Sequence, residues 1–339
     1  MRRSALLSLA CLALLQAHSI AQDIQARAEA LLQRSRQLSD IRSVGAPAFR
    51  LQATFSFVGK DLETTQGTYD EVWISNSQWR REIVVNNLRR LEVGGPRLRW
   101  LLDSTDIIPE RATQIPTVLQ LFPFGDAKFE FESIAEHNYK DRAAECAVTK
   151  RGSSQEISEF CFDKKSGLLL QRVFPQFRSS RAVQHFRVYE HSCSYGTFAK
   201  LGEYWSPREM ICYEDQHRDI SAKVTELAFA PSPDPALFTP PTGAIELANC
   251  HTSLVAPKPI STPAPSQAYQ STDQSHVNIS LVVDTKGRPQ NLRVTSPGNK
   301  SVDSNALDAV RRWRFEPATC EGQPVPVQIT VDVQFRIFH

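Results

Sequence analysis

The sequence of 339 residues has no dominant charge: 39 Lys and Arg against 37 Asp and Glu leave a formal +2. A dedicated nucleic-acid binder needs a strong basic field, so that class is excluded. No apolar run reaches the roughly 18 residues that a spanning helix requires. There is no Gly-x-Ser-x-Gly, no Walker loop, no Rossmann glycine pattern and no His-Glu-x-x-His, so the common hydrolase, nucleotide and zinc-protease signatures are missing. No cysteine pair has CxxC spacing, which removes the usual zinc ligand sets. The eight histidines are scattered. His185, His191 and His217 fall in one strand-rich region and can meet across strands, but no carboxylate stands at diagnostic spacing to them. A hydrolase centred on His185 and His217 is therefore only the enzymatic alternative to a non-enzymatic reading without catalytic residues, cofactor or metal. Glu71 and Glu82 read as ion-pair partners of Arg80 or Arg81 on an exposed strand face, not as a catalytic dyad.

What is present begins with a leader. Arg2 and Arg3 precede an apolar core from Ala5 to Leu15, and Ser19-Ile20-Ala21 is a small-x-small cleavage site. Residues 1–21 are expected to be a cleaved export signal, with a retained membrane anchor as the alternative, and the chain is expected in the periplasm. Of the seven cysteines, Cys11 lies in that leader. The remaining even number in an exported chain reads as disulfides. Neighbour pairing gives Cys146–Cys161, Cys193–Cys212 and Cys250–Cys320, the last tying the large domain or linker to the C-terminal part.

Along the chain, Ile24, Ala28, Leu31, Leu32 and Leu38 recur at helical spacing over Asp23–Asp40. The period then changes. Phe49, Leu51, Ala53, Phe55 and Phe57 alternate with polar residues, as in a half-buried strand. Thr68–Ser75 and Gln78–Asn86 form a hairpin across Asn76-Ser77. Leu88–Val93 and Arg97–Leu102 form another across Gly94-Gly95-Pro96. Arg111–Phe122 is a short helix limited by Pro116. Strands then run through Lys128–Ile134, Ala143–Lys150, Glu156–Asp163, Leu168–Pro175, Ala182–His191, Gly196–Tyr204, Glu209–Glu214 and Ile220–Ala230. A helix followed by many short strands implies an antiparallel, strongly curved sheet, an α+β class. Residues 22–250 form this β-rich domain. Residues 251–275, rich in Pro, Ser and Thr, read as an extended solvated linker. Residues 276–339 form a strand–strand–helix–strand unit, in which Ser301 or Asp303 caps a helix bearing the stripe Val302, Ala306, Val310 and Trp313.

That last unit carries a resemblance. Asp284 and Gly287 stand at the turn of the first hairpin, and a helix runs from Ala306-Leu307 to Trp313. Arg314-Phe315 and Pro317, then Gly322 and Pro324, follow it, and the closing strand alternates Val327, Ile329, Val331, Val333 and Phe335. In these marks it resembles the C-terminal domain of the TonB family. The resemblance implies binding of an extended segment of an outer-membrane receptor-like partner, added as a strand along Val327–Phe335, in support of transport. Two features depart from the family: no Tyr-Pro segment stands near Tyr269, and a short leader replaces the uncleaved inner-membrane helix of the energy-coupling members.

The front half resembles the LolA/LolB-type lipoprotein carriers in its helix, FRLQATFSF, GTYDEVWISNSQWRREI and a plug near Thr117–Phe122. This resemblance implies a half-barrel with an apolar hollow lined by Phe55, Phe57, Trp73, Trp79, Trp100 and Phe122. Its ligand would be a lipid or acyl chain. The ordinary reading of the same aromatics is a packed core.

Overall fold

The structure is a computed structural model. It describes residues 2–58, 63–105, 107–124, 128–150, 159–179, 186–214, 217–250, 254–265, 276–295 and 299–335, with side chains from residue 19 except in 175–190 and at 276.

Helix α1 (Arg2–Ser39) is followed by β1 (Phe49–Val58), β2 (Thr64–Ser75), β3 (Gln78–Val85), β4 (Leu88–Gly94) and β5 (Leu98–Asp103). Helix α2 (Glu110–Val118) contains Pro116 and precedes β6 (Phe131–Tyr139), β7 (Arg142–Thr149), β8 (Glu159–Asp163) and β9 (Leu169–Ser179). Then come β10 (Phe186–Leu201), β11 (Tyr204–Glu214), β12 (His217–Phe229) and β13 (Ile245–Ala248). The C-terminal part holds β14 (Leu254–Val255), β15 (Lys258–Ser261), β16 (His276–Val283), β17 (Pro289–Val294) and α3 (Lys300–Arg311). It ends with β18 (Arg314–Glu316), β19 (Ala318–Cys320), β20 (Gln323–Val325) and β21 (Val327–Gln334).

Among the described residues β1 to β13 make one open sheet, in the order β13-β5-β4-β3-β2-β1-β12-β11-β10-β9-β8-β7-β6. The α+β class follows. Gly196 does not divide the strand in which it lies. Gly196 pairs with Glu209 and Phe198 with Pro207 in unbroken register, so two expected strands are the single β10. Strand β13 lies in the proline-rich end of the large domain, where the sequence pattern predicts none; it pairs with β5.

The chain divides into two compact units. One comprises Met1–Ile41, Lys60–Leu62 and Thr117–Val224. In it α1 buries Ala28, Leu32, Ser35 and Ser39, one stripe at helical spacing. Cys146–Cys161 joins directly paired residues of β7 and β8, and Cys193–Cys212 does the same for β10 and β11.

The other unit comprises Arg42–Gly59, Glu63–Pro116 and Thr225–His339. In β16, Val277, Ile279, Leu281 and Val283 share a core with Val302, Ala306 and Val310 of α3. Val282, on the opposite face, packs with Leu101 of β5 and Leu247 of β13. An apolar strand buried on both faces is what the run VNISLVV provides. Cys250–Cys320 bridges the residues after β13 to β19. The stretch expected as a solvated linker is exposed and extended, and parts of it are also paired: β14 with β19, and β15 with β18. Residues 266–275, with Tyr269, lie outside the described residues.

Two details of the helix differ from expectation. Its cap is Asn299, whose side chain accepts from the Ser301 N–H (2.9 Å). The helix ends at Arg311, so Trp313 leaves the stripe, is half-buried, and donates its indole N–H to the Pro263 carbonyl (3.1 Å). Ala309 takes its place in the core.

Gly287 fixes the β16–β17 turn against the segment after α3. Its φ is +72°, the Phe315 N–H donates to its carbonyl (2.9 Å), and a Cβ there would stand 1.8 Å from the Phe315 carbonyl oxygen. Gly287→Ala combines a left-handed backbone with a backbone clash. It is expected to cost about 2 kcal/mol or more, read as a lowered urea midpoint at unchanged m-value.

Candidate functional site: the outer edge of the C-terminal sheet

The small sheet has the order β17-β16-β21, so β17 and β21 are its edges. The β17 edge is partly occupied: Ile107 bridges Val294 in parallel, and the Ile108 N–H donates to the Val294 carbonyl (3.3 Å). Strand β21 pairs with β16 in continuous register, from Val327 opposite Val283 to Gln334 opposite His276. Among the described residues no strand pairs with its other side. At its start the Pro326 carbonyl accepts the Ala248 N–H (2.7 Å). Beyond that, alternate residues turn their N–H and C=O away from β16, which is a template for an added strand.

Of the residues singled out on this strand, Val327 and Val333 are buried, Ile329 and Val331 half-buried, and Phe335 buried just after it. They anchor β21 in its own core. The side chains left for a partner are Thr330, Asp332 and Gln334, all three exposed. Gln328 faces the large sheet. Its amide donates to Ser280 Oγ (2.8 Å), and its Oε1 accepts from Arg90 Nη2 (3.3 Å).

Arg90 belongs to a buried ionic network. It donates to Glu92 (3.0 Å) and to both oxygens of Asp103 (3.1 Å each). Arg99 also reaches Glu92 (3.2 Å). One row over, Glu71 accepts from Arg42 and from Arg81 Nε (2.9 Å). Register explains this, since Glu71, Arg81 and Glu92 are directly opposite on β2, β3 and β4. The expected pairing of Glu71 with Arg81 is present, but the exposed face is not: Glu71 is 0% exposed. Its row shares a face with Phe49, Trp73 and Trp79, and Arg81 stacks on the Trp79 ring at 4.3 Å. Glu82 points to the opposite face and pairs with Arg80 and Arg89. Burial pushes the Glu71 carboxyl up, and the Arg42 and Arg81 charges outweigh it, holding its pKa at about 2. Glu92 is likewise raised by burial and drawn to about 2 by Arg90, Arg99 and Arg81. Asp103 is raised by burial despite Arg90.

Of the six aromatics proposed to line a hollow, four share one face and Trp100 does not. Phe55, Phe57, Trp73 and Trp79 are buried on one face of β1–β3. A Cβ on Gly67 would meet the Phe55 ring at 2.3 Å, and one on Gly94 the Trp79 ring at 2.1 Å, so both rings lie against glycine backbone. Trp100 is on the other face, half-exposed, donating to Glu246 (3.4 Å). Phe122 belongs to the other compact unit, against Phe124 (6.0 Å).

His185 lies outside the described residues. His191 is buried, and carboxylates that the sequence spacing did not reveal stand beside it: Glu214 Oε2 at 3.8 Å and Asp219 Oδ2 at 3.9 Å. His217 is exposed and pairs in register with Glu214. A second group, His137, Cys146 and Glu159, contains a disulfide sulfur and offers no thiolate.

Residues 265–337 match the family model described as Gram-negative bacterial TonB protein C-terminal. This part of the chain is similar to TonB C-terminal domains. The proteins named Protein TonB from two strains of Xanthomonas campestris pv. campestris are 32% identical over 74 residues, 22% of this chain. The chain spans 33% of the length of these curated relatives. The TonB-type match begins within the segment read as a linker, ahead of β16. Two solved structures are similar to the remainder. A domain described as a putative outer membrane lipoprotein-sorting protein from Vibrio parahaemolyticus is 10% identical, with a TM-score of 0.38, over 64% of this chain and 97% of its own. A LolA superfamily protein from Nitrosomonas europaea is 11% identical, with a TM-score of 0.37, over 62% of this chain and 97% of its own. Likeness at that level carries nothing about ligand or activity.

The ionic network predicts an acid limit. Glu71 and Glu92 have folded values near 2 and unfolded values near about 4.3. Their contribution is complete above the unfolded value and lost as pH falls toward 2; Asp103, shifted upward, offsets part of it. Urea midpoints are expected to fall steeply between about pH 5 and pH 2, with a shallower slope in Glu71→Gln. At pH 7, Glu71→Gln is expected to cost about 3–5 kcal/mol, and Glu82→Gln under about 1 kcal/mol.

Proposed function

We propose that this is an exported, non-enzymatic protein of the bacterial envelope that captures an extended segment of a partner, of outer-membrane receptor type, by adding it as a strand to β21. The observation that carries this reading is that, among the described residues, no strand pairs with the outer side of β21, in a sheet whose opposite edge is partly taken by Ile107 and Ile108. Main-chain hydrogen bonds supply affinity in this mode, and side chains set register. Thr330, Asp332 and Gln334 are the side chains on that strand that a partner can reach. The match of residues 265–337 to the TonB C-terminal family model supports this class of partner. The reading is partner capture in support of transport, and it does not extend to energy transduction.

Adjacent residues of a strand direct their N–H groups to opposite sides. Of Thr330→Pro and Val331→Pro, one removes a donor to β16 and the other an outward donor, and an edge strand tolerates the second. The bait is a peptide carrying the periplasm-facing N-terminal segment of an outer-membrane receptor from the same organism. The outward variant is expected to keep its unfolding midpoint and lose pull-down of the bait, and the inward one to lose stability. Full retention of the bait by both variants would overturn the proposal.

A further inference from the structure

Three strands of the first compact unit bring one imidazole and two carboxylates to a point. His191 lies on β10, Glu214 on β11 and Asp219 on β12. His191 pairs directly with Glu214, so their side chains share a face of the sheet. Asp219 is placed differently. The β11–β12 ladder runs Cys212 opposite Ile220 and then Tyr213 opposite Arg218, leaving Asp219 as the extra residue of a bulge. A bulge re-aims a side chain that regular alternation would send elsewhere. Here it sets Asp219 Oδ2 3.9 Å from His191 Nε2, on which Glu214 Oε2 also closes at 3.8 Å.

The group is enclosed. His191 is 3% and Asp219 5% exposed, and Glu214 is mostly buried. The Phe174 ring stands 5.4 Å from the His191 ring and supplies an apolar wall. The scaffold is fixed close by, because Cys193 and Cys212, each two residues from a member of the group, are bridged across the same strand pair.

We infer that His191, Glu214 and Asp219 form a binding site for a divalent first-row metal ion such as Zn²⁺. All three ligand atoms lie within 4.8 Å of one another. Ligands of a tetrahedral zinc at about 2.0–2.2 Å are roughly 3.3 Å apart, so closing on an ion needs each carboxylate to approach His191 by about 0.5 Å and the two carboxylates to approach each other by at most about 1.5 Å. The donor set, one borderline nitrogen and two hard oxygens, suits zinc or manganese and leaves a further position for water. Two carboxylates and a neutral imidazole match the charge of a divalent ion. The competing arrangement is an imidazolium held between the two carboxylates, with no metal.

The test uses the full chain, exported so that its disulfides form, stripped with chelator and then loaded with Zn²⁺ or Co²⁺. One equivalent of zinc per chain is expected to survive gel filtration and raise the melting temperature, and Co²⁺ is expected to give visible ligand-field bands. Asp219→Asn and Glu214→Gln preserve shape and should weaken zinc binding at least about tenfold, as should His191→Ala; remote His137→Ala should leave it unchanged. Substoichiometric zinc, or zinc held equally by all three ligand variants, would overturn the site and leave the ion-paired imidazolium in its place.

Discussion

A carboxylate with no exposure to water has to be neutralised where it stands, and Glu71 sets that constraint for the second compact unit. Desolvation alone would protonate it. Arg42, from the segment after α1, and Arg81, directly opposite on β3, keep it ionised instead. Both guanidiniums lie over aromatic rings, Arg42 over Phe49 and Arg81 over Trp79. The register of β2 on β3, the path of the chain into β1 and the aromatic packing are therefore coupled through one side chain. A one-residue slip would send Glu71 to the face that Glu82 occupies.

The same face carries the ionic pattern to the C-terminal domain. Arg90, held by Glu92 and Asp103, reaches Gln328 of β21, while Leu101 and Leu247 pack on Val282 of β16. The disulfide Cys250–Cys320 and the short pairings β14–β19 and β15–β18 tether the approach. The TonB-type sheet thus has one face on α3 and the other on β5 and β13. Any strand added to β21 would extend a sheet already supported on both sides, which lowers the ordering cost that weakens strand addition to flexible edges.

The candidate metal group shows the same logic on another part of the sheet. Alternation fixes the faces of His191 and Glu214; a bulge supplies the third side chain, and a disulfide nearby holds two of the strands. Site residues of this kind are brought together by ladder register, so their sequence distances of 23 and 5 residues carry no signal.

Composition and periodicity by themselves determined the helix ahead of the strands, the alternating strand at Phe49–Phe57 and the hairpin at Asn76-Ser77. These features are local: each depends on residues within one or two turns or a single pleat period. The tertiary structure alone decided that Glu71 is buried and Glu82 is not, that Trp100 faces away from Trp79, and that α3 stops at Arg311 so that Trp313 leaves the core stripe. It also decided that β13 and the proline-rich stretch join sheets. Each of these depends on which strand lies opposite, on where a helix stops or on a partner far along the chain, and neighbouring residues in the sequence do not encode that.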